Sequence, residues 1–301
     1  MTTPDVSSGQ DPADEQVLTE RSPRVVAAHK LLRKARRMQA GEFLVEGAQA
    51  VTEAVAAGAT RPGLVRELFV TEAAGRRSVE LVRTAYAAGA RVSQVTDRAA
   101  AALSDTTAPQ GIVALCELAW TPLDEVLAAG PAVLAVLVGV SDPGNAGTVI
   151  RLADAVGADA VVFAGESVDP FNAKAVRAST GSLFHLPVVY AEDPIALLAE
   201  LSAGGMSCLA TTGAAAPAAG GRAALDLFEA ADGSVLDLPT AWVFGSEAHG
   251  LPAGVLEAAD AAVTVPIFGR AESLNLAAAA AVCLYAGART RRATGLPGRT
   301  S

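Results

Sequence analysis

The sequence predicts an α/β protein, because strand-like and helix-like runs alternate along the chain. Three segments carry this prediction most clearly. Each passes from an apolar, strand-like run through Gly, Ser, Asn or Asp into a helix-like run, and they lie at residues 133–151, 241–251 and 265–277. Ligands of open α/β sheets bind outside the carboxyl ends of the strands. The three polar strand ends are therefore expected to form one pocket.

The first part of the chain, residues 21–117, is predicted to be a compact α/β domain of its own. Ala-rich helical stretches alternate there with four strand-like runs, at residues 43–46, 67–70, 91–95 and 111–116. A stretch with Pro and Gly then indicates a linker over residues 118–131. A second domain, over residues 132–292, contains all three polar strand ends.

The two ends of the chain are predicted to be tails. Residues 1–20 contain five acidic residues and no Lys or Arg, which is typical of a disordered acidic tail. Residues 293–301 are expected to form a short basic tail. Directly after the acidic tail comes a basic stretch that apolar residues interrupt at near-helical spacing, which predicts a helix. Its cations are Arg24, Lys30, Arg33, Lys34, Arg36 and Arg37.

The charge of the chain bears on the kind of partner it binds. A net charge of −9 would oppose long-range attraction to RNA if it were spread evenly. It is segregated instead, with the acidic tail preceding the basic stretch. Two interpretations of that stretch stay open: a solvated helix face, which is what most charge runs are, or a surface that contacts RNA phosphates.

Composition agrees with a globular protein, and neither a metal site nor a disulfide is expected. A hydrophobic content of 51% over 301 residues excludes wholesale disorder and allows two cores. Neither a signal peptide nor a membrane span is visible, so we expect a cytoplasmic protein. Cys116, Cys208 and Cys283 are odd in number and lack metal-ligand spacing. Buried, reduced thiols are therefore expected.

The three polar strand ends, in this order, resemble the three motifs of the SpoU family of RNA ribose 2'-O-methyltransferases, which are knotted SPOUT methyltransferases. The motifs are Asn145-x-Gly147-x-x-x-Arg151, Gly245-Ser-Glu247-x-x-Gly250-Leu251 and the run from Pro266 to Asn275. Residues 172–187 also resemble the stretch that the family carries between motifs one and two. One departure is Ile267, where the family often has Met, a side chain of similar volume and polarity.

The resemblance implies a trefoil-knotted SPOUT methyltransferase domain, preceded by a small α/β RNA-binding domain of the ribosomal-protein type. It also implies S-adenosylmethionine as methyl donor and structured RNA as substrate, with 23S ribosomal RNA expected. A transfer RNA substrate and a non-catalytic RNA-binding protein on the same fold are the alternatives. An NAD-dependent oxidoreductase would show Gly-x-Gly-x-x-Gly after its first strand, and residues 139–147 lack that spacing.

The chemistry explains which side chains are needed. A ribose 2'-hydroxyl is a poor nucleophile while protonated, so methyl transfer requires proton removal and in-line positioning, and no metal. By resemblance, Arg151 activates or orients the hydroxyl. Because arginine is always charged, orientation and stabilisation of the forming alkoxide are easier roles for it than deprotonation.

The remaining site residues come from the same motifs. Asn145 is expected to hold the loop or the ribose, or only to cap a helix. Glu247 is expected to orient Arg151 or a loop amide. Ser273 and Asn275 are expected to contact the donor or substrate, or to cap the last helix. The predicted donor-binding residues are Gly245, Val265, Ile267, Leu274 and Asn275.

Three further expectations concern single features. Gly269 is expected to allow unusual dihedrals and close approach of a ligand to the motif-three loop. Arg177 is a candidate for the RNA side of the pocket. Residues 274–288 form an apolar helix with almost no polar face, which must be covered by its own domain or by a second copy. The resemblance implies that this helix packs in a homodimer.

Overall fold

The computed structural model describes residues 17–213, 224–232 and 234–294, which form two sheets. The first sheet has the order β1-β4-β2-β3, with strands at Glu42–Glu46 (β1), Val65–Thr71 (β2), Arg91–Val95 (β3) and Ile112–Glu117 (β4). Strand β4 is antiparallel to β1 and β2, and β3 is parallel to β2. All four predicted strands of this part of the chain are confirmed, each to within two residues.

The helices of this part are short. They are Pro23–His29 (α1), Lys34–Ala40 (α2), Ala48–Gly58 (α3), Glu72–Arg77 (α4), Val79–Ala87 (α5) and Asp97–Ala102 (α6). The prediction of one continuous basic helix is wrong: a 3-10 turn follows α1, and Arg33 is extended, with φ −97° and ψ 128°. At this break the carbonyl of Leu31 accepts a hydrogen bond from Arg37 Nη1 at 2.7 Å.

The predicted tails and linker also need correction. The backbone of Leu18 bonds to Gln94 and Thr96 beside β3, so residues 17–20 belong to the fold and not to a disordered tail. Residues 1–16 lie outside the described residues. At the other end a helix continues to Thr294, and residues 295–301 lie outside the described part. The predicted linker contains the helix Leu123–Ala128 (α7), whose Val126 is buried against the second sheet.

The second sheet is parallel and has the order β7-β6-β5-β10-β8-β11-β9. Its strands are Val133–Val138 (β5), Ala160–Ala164 (β6), Val188–Ala191 (β7), Ser207–Thr212 (β8), Leu225–Asp226 (β9), Thr240–Phe244 (β10) and Ala261–Thr264 (β11). Its helices are Pro143–Val156 (α8), Ala173–Ser179 (α9), Pro194–Ala203 (α10), Leu227–Asp232 (α11), Ala253–Ala258 (α12) and Leu276–Thr294 (α13). Strands β5 and β10 are buried along their whole length, because helices cover both faces. The α/β prediction is confirmed, whereas the trefoil knot stays a prediction.

The two sheets share a buried junction. Phe43 of β1 packs on Phe171, which follows β6, with ring centroids 4.9 Å apart. The Arg37 guanidinium of α2 reaches Asp169 at 2.6 Å, and both side chains are only 3% exposed. The N-terminal part therefore packs firmly on the second sheet through apolar and ionic contacts.

Two findings concern the whole described chain. Among the described residues, no helix is long and apolar enough to cross a membrane. All three cysteines are buried and free, as predicted. Burial raises the pKa of the Cys208 thiol to about 11 and that of Cys283 to about 12, so neither is a thiolate near neutral pH.

Candidate active site

A cavity of about 350 Å³ opens at the carboxyl ends of β8, β10 and β11. This volume lies in the range of ligand-binding sites. Motifs two and three supply most of its walls, including the predicted residues Gly245, Glu247, Val265, Ile267, Ser273 and Leu274. The structure therefore brings four of the five predicted donor-binding residues together, while Asn275 lies beside the cavity in the adjoining network.

One hydrogen-bonded network joins the three motifs. Asn145 Nδ2 of motif one donates to Glu247 Oε1 of motif two at 2.6 Å. Asn275 Nδ2 of motif three donates to Asn145 Oδ1 at 3.2 Å. The amide of Asn145 is thus held on both of its polar atoms, and the predicted convergence of the strand ends is confirmed.

The start of α8 is fixed by a residue that the sequence interpretation did not single out. Asp142 Oδ1 accepts from the Asn145 N–H at 2.8 Å and caps the helix, so the alternative that Asn145 is the cap is wrong. Lys174 Nζ donates to Asp142 Oδ2 at 2.7 Å. Two hydrogen bonds hold the pKa of Asp142 below its usual value. The bond from Lys174 has the larger effect, and the bond from the backbone N–H of Asn145 has the smaller one. The signal was present: Asp followed by Pro marks a helix start.

For Asn275 the capping expectation is confirmed, and contact with the donor or substrate stays a prediction. Its Oδ1 accepts from the Ala277 N–H at 2.9 Å and caps α13, while its Nδ2 reaches Asn145. Ser273 lines the cavity and is exposed, which leaves its hydroxyl available to a ligand. The helix begins at Leu276, two residues later than predicted.

Two motif glycines are required by close backbone contacts. A Cβ on Gly245 would lie 2.3 Å from the carbonyl carbon of Gly250, where the motif-two loop folds back on itself. A Cβ on Gly147 would lie 2.2 Å from the Ala175 carbonyl oxygen of α9. The expectation of unusual dihedrals at Gly269 is wrong, because that residue does not have a positive φ. Close approach of a ligand to Gly269 stays a prediction.

Arg151 lies apart from this network. It is six residues after Asn145 on α8, which places it about 9 Å along the helix and about 120° around it. Its side chain is exposed, and within the described residues it forms no hydrogen bond or salt bridge. The expectation that Glu247 orients Arg151 is not met in this structure, since Glu247 orients Asn145.

The predicted RNA-contacting residues separate into two groups. Lys30, Arg33, Lys34 and Arg36 are exposed, in and just before α2. Arg24 instead bonds Glu67 at 2.7 Å, and Arg177 lies near Glu46 at 3.4 Å. Arg37 is buried, with Nε and Nη2 both bonded to Asp169, so it cannot contact RNA.

Metal ligation has no candidate in the described ranges. No three or more His, Cys, Asp or Glu side chains cluster there in a way that could hold a metal ion. The polar atoms of the cavity come from hydroxyls, carboxylates, the His249 imidazole and backbone groups. Such a site suits binding and orientation of a polar organic ligand.

Two family descriptions match the chain. Residues 132–285 match the SpoU rRNA Methylase family, and residues 22–114 match the MRM3-like substrate binding domain. The chain is 33% identical, over 90% of its length and 98% of the relative, to the 23S rRNA (guanosine(2553)-2'-O)-methyltransferase RlmP of Bacillus subtilis. It is 31% identical, over 98% of both chains, to the 23S rRNA (uridine(2479)-2'-O)-methyltransferase of Streptomyces viridochromogenes.

Solved structures agree with these matches. The AdoMet-bound rRNA methyltransferase from Sinorhizobium meliloti has a TM-score of 0.76 and 28% identity, covering 92% of this chain and 98% of the other. The SpoU methyltransferase AviRb from Streptomyces viridochromogenes, in complex with AdoMet, has a TM-score of 0.73 and 30% identity, covering 90% and 100%. Both matches extend across the two sheets.

Proposed function

The chain belongs to the SpoU rRNA Methylase family, and from that premise we propose that it transfers a methyl group from S-adenosylmethionine to a ribose 2'-hydroxyl of 23S ribosomal RNA. The observation that carries the proposal is the convergence of the motif-two and motif-three loops on one cavity, together with the Asn145 amide that joins all three motifs beside it. The two relatives modify different nucleotides, a guanosine and a uridine. The proposal therefore names the RNA and the ribose oxygen but not the nucleotide.

The cavity fits the methyl donor. S-adenosylmethionine joins an adenine to a methionine whose ammonium and sulfonium are positively charged. Apolar side chains of Leu251, Val265 and Ile267 suit the adenine, and the carboxylates of Glu247 and Glu272 line the same space as counter-charges. When bound, the donor supplies an electrophilic methyl group on a positively charged sulfur.

Asn145 is the residue we assign to the ribose. Its Nδ2 carries a second N–H beyond the one given to Glu247, and its Oδ1 has a second lone pair beyond the one used by Asn275. An amide held at both ends needs little reorganisation to bind a hydroxyl. It can therefore fix the 2'-oxygen in line with the methyl group.

Arg151 is assigned to electrostatic stabilisation of the forming alkoxide. Its guanidinium is permanently charged, which makes this role easier than proton removal. It is exposed and without an ion pair in the described part of the chain, so it is free to contact an RNA phosphate or a second copy of the chain. The proton leaves to solvent or to the RNA in this scheme.

We also propose a homodimer that packs through α13. The helix is apolar, yet Tyr285 is 53% exposed and Leu274, just before the helix, is 38% exposed. Covering this surface with a second copy would remove apolar area from water. Light scattering at micromolar concentration tests the dimer, and a stable species at the monomer mass would refute it.

The RNA-binding surface is proposed to be the exposed cations around α2, Lys30, Arg33, Lys34 and Arg36. They would contact phosphates and so set the position of the RNA without reading its bases. With 23S rRNA as substrate, we place the enzyme in the cytoplasm.

The experiment compares 2'-O-methylation across ribosomal RNA from cells with and without the gene. One 23S position should lose its methyl group in the deletion strain and regain it with the wild-type gene. The Arg151→Ala gene should fail to restore it. An unchanged methylation map in the deletion strain would contradict the proposal.

A further inference from the structure

A second cavity, of about 490 Å³, lies at the junction of the two sheets. Its walls include Lys34 and Met38 of α2, Trp120 of the connecting segment, Glu166 after β6 and Tyr190 of β7. We call it the aromatic cleft. Its volume is within the range of small-ligand sites, and none of its residues belongs to the donor cavity.

The aromatic wall of the cleft is held in place from behind. The rings of Trp120 and Tyr190 lie 5.7 Å apart, and Tyr190 is 50% exposed on the edge strand β7. Phe171 packs edge-on against Trp120 at 5.0 Å and also contacts Phe43. Aromatic residues are only 4% of the chain, yet four of them form this row. Because the rings of Trp120 and Tyr190 are already fixed by packing, these side chains lose little conformational freedom when a flat ligand stacks on them.

The charges around the cleft select the ligand. Lys34 lines it, is exposed, and makes no salt bridge in the part of the chain that the structure describes. Lys30 and Arg33 are exposed nearby in sequence. Glu166, also in the wall, disfavours a phosphate inside the cleft but can accept a hydrogen bond from a base amino group. An aromatic wall with a cation beside it suits a nucleobase attached to its phosphate.

The cleft is directly connected to the catalytic edge of the sheet. Val168 lines the cleft, and its N–H donates to the Val140 carbonyl at 2.8 Å, two residues before the cap Asp142. The Gly139 N–H likewise bonds to Ala164 at the end of β6. Neighbouring strands lie about 4.8 Å apart, so the loop after β6, which contains Val168, is one strand spacing away from the motif-one loop after β5.

We propose that the aromatic cleft binds one unpaired nucleobase of the RNA substrate. The base stacks on Tyr190 and Trp120, and its phosphate lies at Lys34, while the target ribose lies at Asn145. This inference rests on the proposed function, because it assumes that RNA is the substrate. The cleft then acts as a positioning site that fixes the RNA strand relative to the methyl donor.

The test uses the full chain and a single-stranded RNA decamer with one 2-aminopurine. Stacking should quench the 2-aminopurine and change the Trp120 emission, since the other tryptophan, Trp242, is fully buried. Tyr190→Ala should weaken binding roughly ten- to a hundredfold, and Tyr190→Phe should retain it. Tyr86→Ala is the matched control, because Tyr86 is 70% exposed on α5 and outside the cleft.

One control and two outcomes separate the possible failures. S-adenosylmethionine binding by every variant shows that the methyltransferase domain has folded. If wild-type protein binds the RNA but Tyr190→Ala binds it equally well, the cleft assignment is overturned and the proposed function is untouched. If the wild-type protein binds no decamer, the cleft assignment is overturned, and the proposed function is decided separately by methyl transfer to 23S ribosomal RNA.

Discussion

Asn145 and Glu247 are 102 residues apart in the chain, yet Asn145 Nδ2 lies 2.6 Å from Glu247 Oε1. This bond fixes the motif-one helix against the motif-two loop at the mouth of the donor cavity. A charged acceptor makes such a bond stronger than a neutral one. Glu247 therefore has two roles in this account, as the orienting partner of Asn145 and as a counter-charge for the donor.

Glu247→Gln should separate those roles. The Gln carbonyl can still accept from Asn145, so we expect thermal stability near that of wild type. Loss of the charge should weaken S-adenosylmethionine binding about tenfold, a cost of about 1.4 kcal/mol. Calorimetry measures the affinity, with Glu257→Gln as an acidic control outside the cavity lining. Unchanged donor affinity would exclude the counter-charge role.

Arg151→Ala should abolish methyl transfer and leave donor binding within about tenfold, because Arg151 acts on the transition state. Arg151→Lys should also be weak, since an ammonium cannot reproduce the planar guanidinium. Single-turnover rates and donor affinity are measured together. Arg83→Ala, an exposed arginine of α5, is the control. An equal loss of donor affinity would contradict the role assigned to Arg151.

Gly147→Ala should destabilise the methyltransferase domain by about 1–3 kcal/mol, because the added Cβ would overlap the Ala175 carbonyl and force α8 away from α9. Gly58→Ala is the matched control, with no atom within 4 Å of its added Cβ. Urea unfolding measures both variants. Equal stability of Gly147→Ala and wild type would contradict this prediction, because α8 and α9 would then move apart without loss of folding free energy.

Arg37→Ala should behave as a core mutation. Removing the Arg37 guanidinium leaves the Asp169 carboxylate buried without its charged partner, which typically costs about 3–5 kcal/mol of folding stability.

The salt dependence of RNA binding should be the same for Arg37→Ala as for wild type. Lys34→Ala should instead lower the slope of log affinity against log salt concentration by about one. Denaturant unfolding and RNA titrations at several salt concentrations check both expectations. A reduced slope for Arg37→Ala would indicate that Arg37 contacts RNA phosphates.

His185 should make stability depend on pH. It contacts Asp154 at 2.8 Å and Glu53 of the N-terminal part at 3.3 Å. Burial alone would lower its pKa, but hydrogen bonds and charges from the two carboxylates raise it above its ordinary value. The stabilisation is therefore present below about pH 6.5 and is lost as pH rises through the raised pKa.

We expect His185→Gln to flatten this pH dependence. The difference should be below about 1 kcal/mol, because the contacts are partly exposed. Urea midpoints from pH 6 to pH 8.5 measure it. A wild-type protein that becomes more stable, relative to the variant, as pH rises would contradict the sign.

The positions of the strand ends were predictable, because each strand and the polar residues after it can be recognised from a short stretch of sequence. Buried parallel strands appear as continuous apolar runs, and the polar residues after them must lie on one edge of the sheet. Asn145, Glu247 and Asn275 were brought together for that reason. Arg37 was not predictable, because its sequence neighbours are exposed cations and its partner, Asp169, lies 132 residues away. The break at Arg33 likewise depends on tertiary contacts of Leu31 and Arg37, which override a helical pattern.

Methyl transfer by the purified protein tests the proposed reaction directly. The protein would be incubated with methyl-labelled S-adenosylmethionine and 23S ribosomal RNA from cells that lack the gene, and the RNA would then be digested to nucleosides. We expect label in one 2'-O-methylated nucleoside, and none with Arg151→Ala. Label on a base, or no label in the RNA while the protein binds the donor, would contradict it.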